Sequence, residues 1–159
     1  MKYRVGIGYD VHKLEQGTPF FLGGIEIESP FGAVGHSDAD VLIHAIIDSL
    51  LGAANLRDIG YLYPDTKKEF KGIDSKILLK DTIDKVREKG FKIENLDTII
   101  CLQSPKISSY IPQMQETLSK VMQIELEDIN IKATTTEHLG FVGKKEGVAA
   151  HSVCLLSKE

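Results

Sequence analysis

Residues 35–53 read GHSDADVLIHAIIDSLLGA, and this stretch predicts the central helix of the fold. Ser37 or Asp38 can cap a helix that runs to about Leu51, and Gly52 can end it. Apolar residues recur on one side of the helix, as expected for packing against a sheet. Polar side chains step by four along another side, at Asp40, His44 and Asp48. The stretch therefore predicts a helix with one buried side and one side that can carry chemistry.

The segments on either side predict strands and further helices. Before the helix, residues 3–11 form a predicted strand whose Gly6 and Gly8 indicate a close approach by another part of the chain. Residues 19–27 predict a hairpin. After the helix come a second helix, a strand, a helix and two strands, over residues 75–89, 96–102, 112–122, 129–133 and 148–156. This order predicts an α/β (α+β) fold, with a mixed four- to five-stranded sheet, helices packed on one face, and a single domain over residues 1–159.

Composition narrows the class of protein. Of the 159 residues, 42% are hydrophobic and 26% are charged, and the formal net charge is −4. An acidic balance argues against a nucleic-acid-binding protein, and the apolar runs are too short to span a bilayer. Cys101 and Cys154 lie in apolar runs without metal-binding spacing, which favours reduced thiols. We therefore expect a cytoplasmic protein, or a plastid-type protein whose leader has been removed.

The sequence DVH at 10–12 can supply metal ligands. Residues two apart on a strand point to the same face, so Asp10 and His12 project together. His44 on the predicted helix can add a third ligand, which leaves one coordination position open for a substrate. This donor set suits zinc and also non-haem iron(II). Asp48, one helical turn after His44, can accept the other imidazole N–H and orient the ring, unless it is simply exposed.

Hydroxyl and basic side chains follow two of the predicted strands. Residues 134–136 are all threonine; they can donate hydrogen bonds to phosphate oxygens, although threonine is also an ordinary strand residue. Glu137 beside them can help to hold Mg²⁺. Lys106 follows a buried strand and can contact an anion, unless it is only solvated. These features predict a phosphorylated ligand held with the help of bound cations.

Two loops complete the candidate site. The polar loop at 55–74 is long for so small a domain, which is typical of a functional loop, and it carries Asp58, Gly60 and Asp65. The glycines at 140–147 are too irregular for a phosphate-binding motif and predict a flexible loop.

Taken together, six segments resemble a known family, the 2-C-methyl-D-erythritol 2,4-cyclodiphosphate synthases. The segments match in order and spacing: GYDVH at 8–12, GHSDADVLIHAIIDSLLGA at 35–53, DIGYLYPDT at 58–66, FKGIDS at 70–75, SPKISSYIPQM at 104–114 and KATTTEHLGFVGKKEG at 132–147. The resemblance implies a homotrimer of ferredoxin-like subunits with active sites between neighbours. It also implies a metal-dependent phosphorus–oxygen lyase of non-mevalonate isoprenoid biosynthesis. In that reaction the 2-phosphate of 4-(cytidine 5′-diphospho)-2-C-methyl-D-erythritol 2-phosphate attacks the diphosphate, which gives the cyclic diphosphate and CMP.

The resemblance also implies roles for individual residues. Asp10, His12 and His44 match zinc ligands, and Glu137 matches a ligand to Mg²⁺ or Mn²⁺. His36 and Thr135 match the pair that stabilises the transition state. The implied substrate contacts are Asp10, His12, His36, Ser37, Asp58, Ile59, Gly60, Tyr63, Pro64, Asp65, Thr66, Lys67, Leu102, Gln103, Ser104, Pro105, Lys106, Ile107, Ser108, Thr134, Thr135, Thr136, Glu137, Phe141 and Lys144; those at 102–108 match a cytidine pocket.

Two positions depart from the family pattern. Lys144 stands where members often carry arginine, and His151 stands where they often carry an acidic residue. The resemblance places both beside a cavity on the trimer axis that can hold an isoprenoid diphosphate. Lysine keeps the charge but loses the bidentate fork of arginine, so we do not expect such binding to carry over unchanged.

The residues alone leave two other classes of protein open. A metal-dependent phosphohydrolase would use the same three ligands to activate water and would release linear phosphate plus CMP. A non-enzymatic trimeric nucleotide-binding module would use the threonines and Lys106 without any reaction, and it would not need the three metal ligands.

Overall fold

A computed structural model describes residues 1–159 and contains seven strands and five α-helices. The strands are β1 (Lys2–Gln16), β2 (Phe20–Leu22), β3 (Ile25–Ile27), β4 (Phe31–Val34), β5 (Lys92–Cys101), β6 (Ile129–Thr134) and β7 (Gly147–Lys158). The helices are α1 (Val41–Ala53), α2 (Ile59–Leu62), α3 (Ser75–Glu88), α4 (Ile111–Met122) and α5 (Gly140–Gly143). None of the helices combines the length and the hydrophobicity that a membrane-spanning helix requires.

Five strands form one mixed sheet in the order β4-β1-β7-β5-β6. Only β5 and β6 run parallel; the β4–β1, β1–β7 and β7–β5 pairs are antiparallel. The predicted mixed sheet is therefore confirmed, and β2 and β3 form the predicted hairpin beside it. The sequence missed β4, because four residues that include Gly32 and Ala33 carry no alternating pattern. The ferredoxin-like arrangement stays a prediction.

Helix α1 lies directly against β1 because two glycines on that strand leave room for it. A Cβ atom on Gly6 would lie 1.9 Å from the Ser49 carbonyl oxygen, and one on Gly8 would lie 1.8 Å from that of Ala45. Nearly every side chain of α1 is buried between the sheet and α3. This close contact fixes the distance between His44 on α1 and the side chains of β1.

Asp40 caps α1, so the predicted caps at Ser37 and Asp38 are wrong. Its Oδ1 accepts hydrogen bonds from the backbone N–H groups of Ile43 and Gly23, both at 3.0 Å, and its Oδ2 accepts one from Gly24 at 2.7 Å. Burial raises the pKa of the Asp40 carboxyl, and these N–H groups oppose that rise. One buried carboxylate thus joins the helix to the hairpin, which the order of residues along α1 alone could not indicate.

On the face of the sheet opposite α1, the middle of β1 and β7 is apolar and exposed. Along β1 the side chains alternate: Gly6 and Gly8 face α1, whereas Val5 and Ile7 point to the open face and are 70% and 72% exposed. Val153 on the neighbouring β7 extends this surface. A contiguous exposed apolar surface of this kind is typical of a protein–protein contact.

Candidate metal and phosphate site

The side chains of Asp10, His12 and His44 converge where α1 crosses β1. Asp10 Oδ2 lies 2.8 Å from His12 Nε2 and 3.2 Å from His44 Nδ1, and the two imidazole nitrogens are 3.1 Å apart. All three are partly or fully buried. The grouping predicted from the spacing of these residues is therefore present, and it can hold a metal ion.

The hydrogen bonds around the two imidazoles show why a cation fits between them. His12 Nδ1 lies 3.0 Å from the Val34 carbonyl oxygen, which can only accept, so the ring proton sits there and Nε2 carries a lone pair. That lone pair faces Asp10 Oδ2, a buried oxygen whose polar neighbours are the two imidazole nitrogens. His44 Nδ1 points to the same place, because its Nε2 is engaged by serine hydroxyls. Electron pairs thus converge, as in a metal site.

In the absence of a metal ion, a proton can take the place of the cation. Burial opposes ionisation of Asp10, but hydrogen bonds and the charge of the two imidazoles outweigh it and lower its pKa to about 2. Burial also disfavours the His12 imidazolium, but the hydrogen bond and charge of Asp10 raise the pKa of His12 above its ordinary value. The site therefore favours positive charge.

Asp48 does not contact His44, so the predicted role in orienting that ring is wrong. Its Oδ1 accepts the Ile59 N–H at 2.8 Å and anchors α2, which packs against α1 at that level. His44 Nε2 contacts Ser75 Oγ at 2.9 Å and Ser37 Oγ at 3.1 Å instead. Helical spacing correctly placed Asp48 one turn after His44 on the helix, but it could not show that α2 would cover the Asp48 carboxylate.

A cavity of about 400 Å³ opens onto two of the candidate ligands, His12 and His44, whereas Asp10 lies behind them and does not line it. Its lining includes most of the residues that were predicted to contact substrate on this side of the molecule. The lining residues are His12, Gly35, His36, Ser37, His44, Ile59, Gly60, Tyr63, Asp65, Phe70 and Leu78. Asp58, Pro64, Thr66 and Lys67 belong to the same loop but do not line the cavity.

The loop at 55–74 is held over the cavity by hydrogen bonds within the loop and to His36 and Asp81. Asp58 caps α2 by accepting the Tyr61 N–H at 2.9 Å, so part of the predicted loop is helical. His36 Nε2 donates to the Lys67 carbonyl at 3.0 Å. The Tyr63 hydroxyl donates to Asp81 Oδ2 at 2.6 Å, which leaves mainly its ring facing the cavity. The loop is thus an ordered wall.

A second, smaller cleft of about 170 Å³ lies at the ends of β5 and β6. Nearly all of the predicted cytidine-contact residues line it, together with two of the threonines. The lining residues are Leu102, Gln103, Pro105, Lys106, Ile107, Ser108, Ala133, Thr134 and Thr135. Ser104 lies within the same turn.

The segment after β6 turns sharply. Glu137 and His138 have φ values of 53° and 62°, and the Gln103 side-chain oxygen accepts the His138 N–H at 3.1 Å. Thr135 Oγ1 accepts the Glu137 N–H at 3.3 Å, and Thr136 Oγ1 donates to the Leu139 carbonyl at 2.7 Å. Two of the hydroxyls thus shape the turn. The Glu137 carboxylate, with Phe141 and Lys144 beyond it, is exposed.

The two clefts lie far apart in one chain. Asp10 on β1 is level with Ala150 on β7, Ile100 on β5 and Ala133 on β6. Three strand spacings of roughly 4.8 Å separate β1 from β6, which is about 14 Å. His36 follows β4, which lies on the other side of β1 from β6.

Comparison with known proteins agrees with this geometry. A sequence profile described as the YgbB family matches residues 3–157. The chain belongs to the YgbB family. A 2-C-methyl-D-erythritol 2,4-cyclodiphosphate synthase from Bacteroides thetaiotaomicron is 55% identical over 159 residues, which is 100% of both chains. The resemblance inferred from the six sequence segments is therefore confirmed.

Solved structures show the same fold. The bifunctional IspDF from Campylobacter jejuni is 44% identical, with a TM-score of 0.95; the match covers 99% of this chain but 43% of that longer one. A CDP-bound 2C-methyl-D-erythritol-2,4-cyclodiphosphate synthase is 36% identical, with a TM-score of 0.90 over 97% of this chain and 100% of that one.

Proposed function

We propose that this protein is a 2-C-methyl-D-erythritol 2,4-cyclodiphosphate synthase of non-mevalonate isoprenoid biosynthesis. An oxygen of the substrate 2-phosphate attacks the diphosphate phosphorus nearer the erythritol, and the bond from that phosphorus to the CMP oxygen breaks. The observation that carries the proposal is the cavity lined by His12 and His44, whose lone pairs converge with that of Asp10 at its wall. Two of the relatives named above support the same activity: one is 55% identical to this chain and the other is 36% identical.

Electrostatics and positioning dominate such a reaction, because two phosphate groups must approach each other. Asp10, His12 and His44 would hold zinc, and Glu137 would help to hold Mg²⁺ or Mn²⁺; these ions would offset phosphate charge and orient the reacting groups. The attacking phosphate is already an anion, so no strong general base is required. The reaction makes the enzyme a cyclising, CMP-releasing lyase.

The residues around the cavity would orient the substrate. His36 uses Nε2 on the Lys67 carbonyl, so its Nδ1, when protonated, is free to donate to a phosphate oxygen. The Ser37 hydroxyl at the cavity wall can do the same. Thr135 and Lys106 in the second cleft would bind the diphosphate and cytidine side. A relative of the same fold has been solved with CDP bound, which supports a cytidine diphosphate ligand. The ordered loop at 55–74 would exclude water from the reacting phosphates.

We further propose that the enzyme is a homotrimer with each active site built from two neighbouring subunits. The separation of about 14 Å between β1, which carries two of the metal ligands, and β6, which leads into Thr135, supports this, because one phosphate cannot span it. The exposed apolar face around Val5 and Ile7 supports it too, because it offers a surface for assembly. The two free cysteines are compatible with a cytoplasmic location.

Incubation with the cytidine diphosphate substrate, followed by phosphorus NMR, tests the activity directly. We expect the cyclic diphosphate and CMP. Linear phosphate plus CMP would instead favour the phosphohydrolase, and binding without turnover would favour the nucleotide-binding module. His44→Ala should abolish both bound zinc and turnover in a folded protein, whereas His138→Asn, at an exposed position, should change neither.

Mixing two inactive variants tests the shared site. Each proposed site has a metal half, which contains His44, and a diphosphate half, which contains Thr135. His44→Ala disables the first, and Thr135→Ala disables the second. If each site takes its halves from neighbouring subunits, subunits exchanged in a one-to-one mixture should regain about a quarter of the wild-type activity. A mixture that sediments as mixed trimers yet stays inactive would place both halves in one subunit.

A further inference from the structure

We propose that Ser75 and Asp38 form a positioning pair that fixes the tautomer of His44 and so tunes the affinity of the metal site. This inference rests on the proposed metal site, and it gives Ser75 and Asp38 a role that the sequence did not indicate. Neither side chain would touch the ion or the substrate. Both would act through the imidazole of His44.

The geometry of the pair determines the direction of each hydrogen bond. Asp38 accepts the Ser75 hydroxyl proton on Oδ1, and it accepts the Ser75 backbone N–H on Oδ2 at 2.9 Å. Because the hydroxyl has only one proton, Ser75 Oγ can only accept a hydrogen bond from any further partner. That partner is His44 Nε2, 2.9 Å away. The pair therefore requires the proton of neutral His44 to sit on Nε2.

This tautomer is the one that a metal ion needs. With the proton on Nε2, Nδ1 carries the lone pair and faces Asp10 Oδ2 at 3.2 Å. The opposite tautomer would point an N–H at the place where the ion must sit. The Asp38 carboxylate behind the hydroxyl also makes Oγ a better hydrogen-bond acceptor, which holds the imidazole in the orientation that points Nδ1 at Asp10 Oδ2.

Ser37 is the competing partner of His44, and the structure distinguishes the two serines. Ser37 Oγ lies 3.1 Å from Nε2 but has no carboxylate to take its proton, so it could also donate to the imidazole. It is half-buried on the cavity wall, whereas Ser75 is fully buried at the first residue of α3. Only Ser75 is restricted to accepting, so it decides the tautomer.

Zinc affinity is the first test. The zinc dissociation constant would be measured by competition with a chromophoric chelator for the wild type, Ser75→Ala and Asp38→Asn. We expect both variants to bind zinc about 10- to 100-fold more weakly. Ser49→Ala is the matched control, because Ser49 is an equally buried hydroxyl that bonds to Ile46 and Ser152 and should leave the affinity unchanged. Affinities within about twofold of the wild type in both variants would overturn the proposal.

The tautomer itself is the second test. Nitrogen-15 NMR of the histidine rings in metal-free protein at neutral to alkaline pH should show the Nε2–H form of His44 in the wild type. Asp38→Asn can donate an amide proton to Ser75 Oγ, which frees the hydroxyl to donate to His44, so the Nδ1–H form should appear. An unchanged Nε2–H form in both variants would overturn the proposal. A loss of packing alone would not reverse the tautomer.

The outcome separates this inference from the proposed function. If wild-type protein forms the cyclic product and binds zinc, but the variants bind it equally well, only the positioning role fails. If wild-type protein binds no zinc, the proposed metal site fails first. Circular dichroism melts identify a variant that does not fold; Asp38→Asn then gives the answer if Ser75→Ala unfolds, and the reverse also holds.

Discussion

Replacing Gly8 with alanine tests whether the close contact between β1 and α1 sets the metal site. An alanine Cβ at this position would lie 1.8 Å from the Ala45 carbonyl oxygen, whereas real Cβ contacts below 3.0 Å are essentially never seen. The obstacle is the backbone of α1, which cannot rotate aside as a side chain can. The helix must therefore move away from the sheet by at least about 1.2 Å at the residue that follows His44.

The size of this shift gives two expected effects. Overpacking of this kind costs about 1–3 kcal/mol of the free energy of unfolding, which corresponds to a melting temperature lower by roughly 2–12 °C for a chain of this size. His44 would also leave its position beside Asp10 Oδ2. A misplacement of about 1 Å in such a site can lower activity about 100-fold. Zinc affinity should fall in parallel.

Thermal melts, chelator competition and turnover of the Gly8→Ala protein measure these effects. Gly52→Ala is the matched control, since Gly52 lies on the exposed side of α1 with its nearest neighbour at 4.0 Å. Alanine there should be neutral or stabilise the helix by up to about 1 kcal/mol. A Gly8→Ala protein that melts within about a degree of the wild type and keeps its zinc affinity would refute the steric reasoning.

Three further outcomes are expected. Glu137→Gln should weaken the dependence of turnover on Mg²⁺ or Mn²⁺ without lowering the melting temperature, and an unchanged cation titration would contradict the second-metal role. Ile7→Lys should yield monomers in sedimentation, whereas Ile77→Lys, at an exposed position on α3, should not; trimers in both would exclude the open sheet face as the interface. In metal-free protein the lowered pKa of Asp10, about 2 against an ordinary 3.8, contributes about 2 kcal/mol of stability above pH 4 that is lost as the pH falls towards 2. The raised pKa of His12 contributes stability below pH 6.5, which is lost as the pH rises through the pKa that His12 has in the folded protein. Urea melts at a series of pH values would show both losses of stability, the one from Asp10 in acid and the one from His12 at higher pH.

The metal ligands could be predicted from the sequence because their geometry is local. Asp10 and His12 are two apart on one strand, so strand alternation alone makes them neighbours. His44 required only that its helix pack on that strand, which Gly6 and Gly8 already indicated. The clefts lined by the loop at 55–74 and the turn at 102–108 could likewise be expected, since these segments resemble a known family.

The partners of His44 could not be predicted in the same way. Ser75 lies 31 residues farther along the chain, and it meets the imidazole only because α3 starts beside α1. Asp48 had the right helical spacing, but α2 packs there and its Ile59 N–H takes the carboxylate. Asp40 caps the helix in place of Asp38, and its carboxylate also accepts hydrogen bonds from the hairpin at Gly23 and Gly24. Tertiary contacts, not local pattern, decide all three cases.

The alternation of β1 has a consequence for how this strand can change over evolutionary time. Inward positions carry Gly8, Asp10 and His12, while outward positions carry Val5 and Ile7. Inserting or deleting a single residue would exchange the two faces along the rest of the strand, so that metal ligands would point outward and bulky aliphatic groups would meet α1. A single insertion or deletion would thus disrupt the metal ligands, the packing against α1 and the exposed apolar surface at the same time. Members of this family should therefore diverge in this strand by substitution, while differences in length collect in the loops.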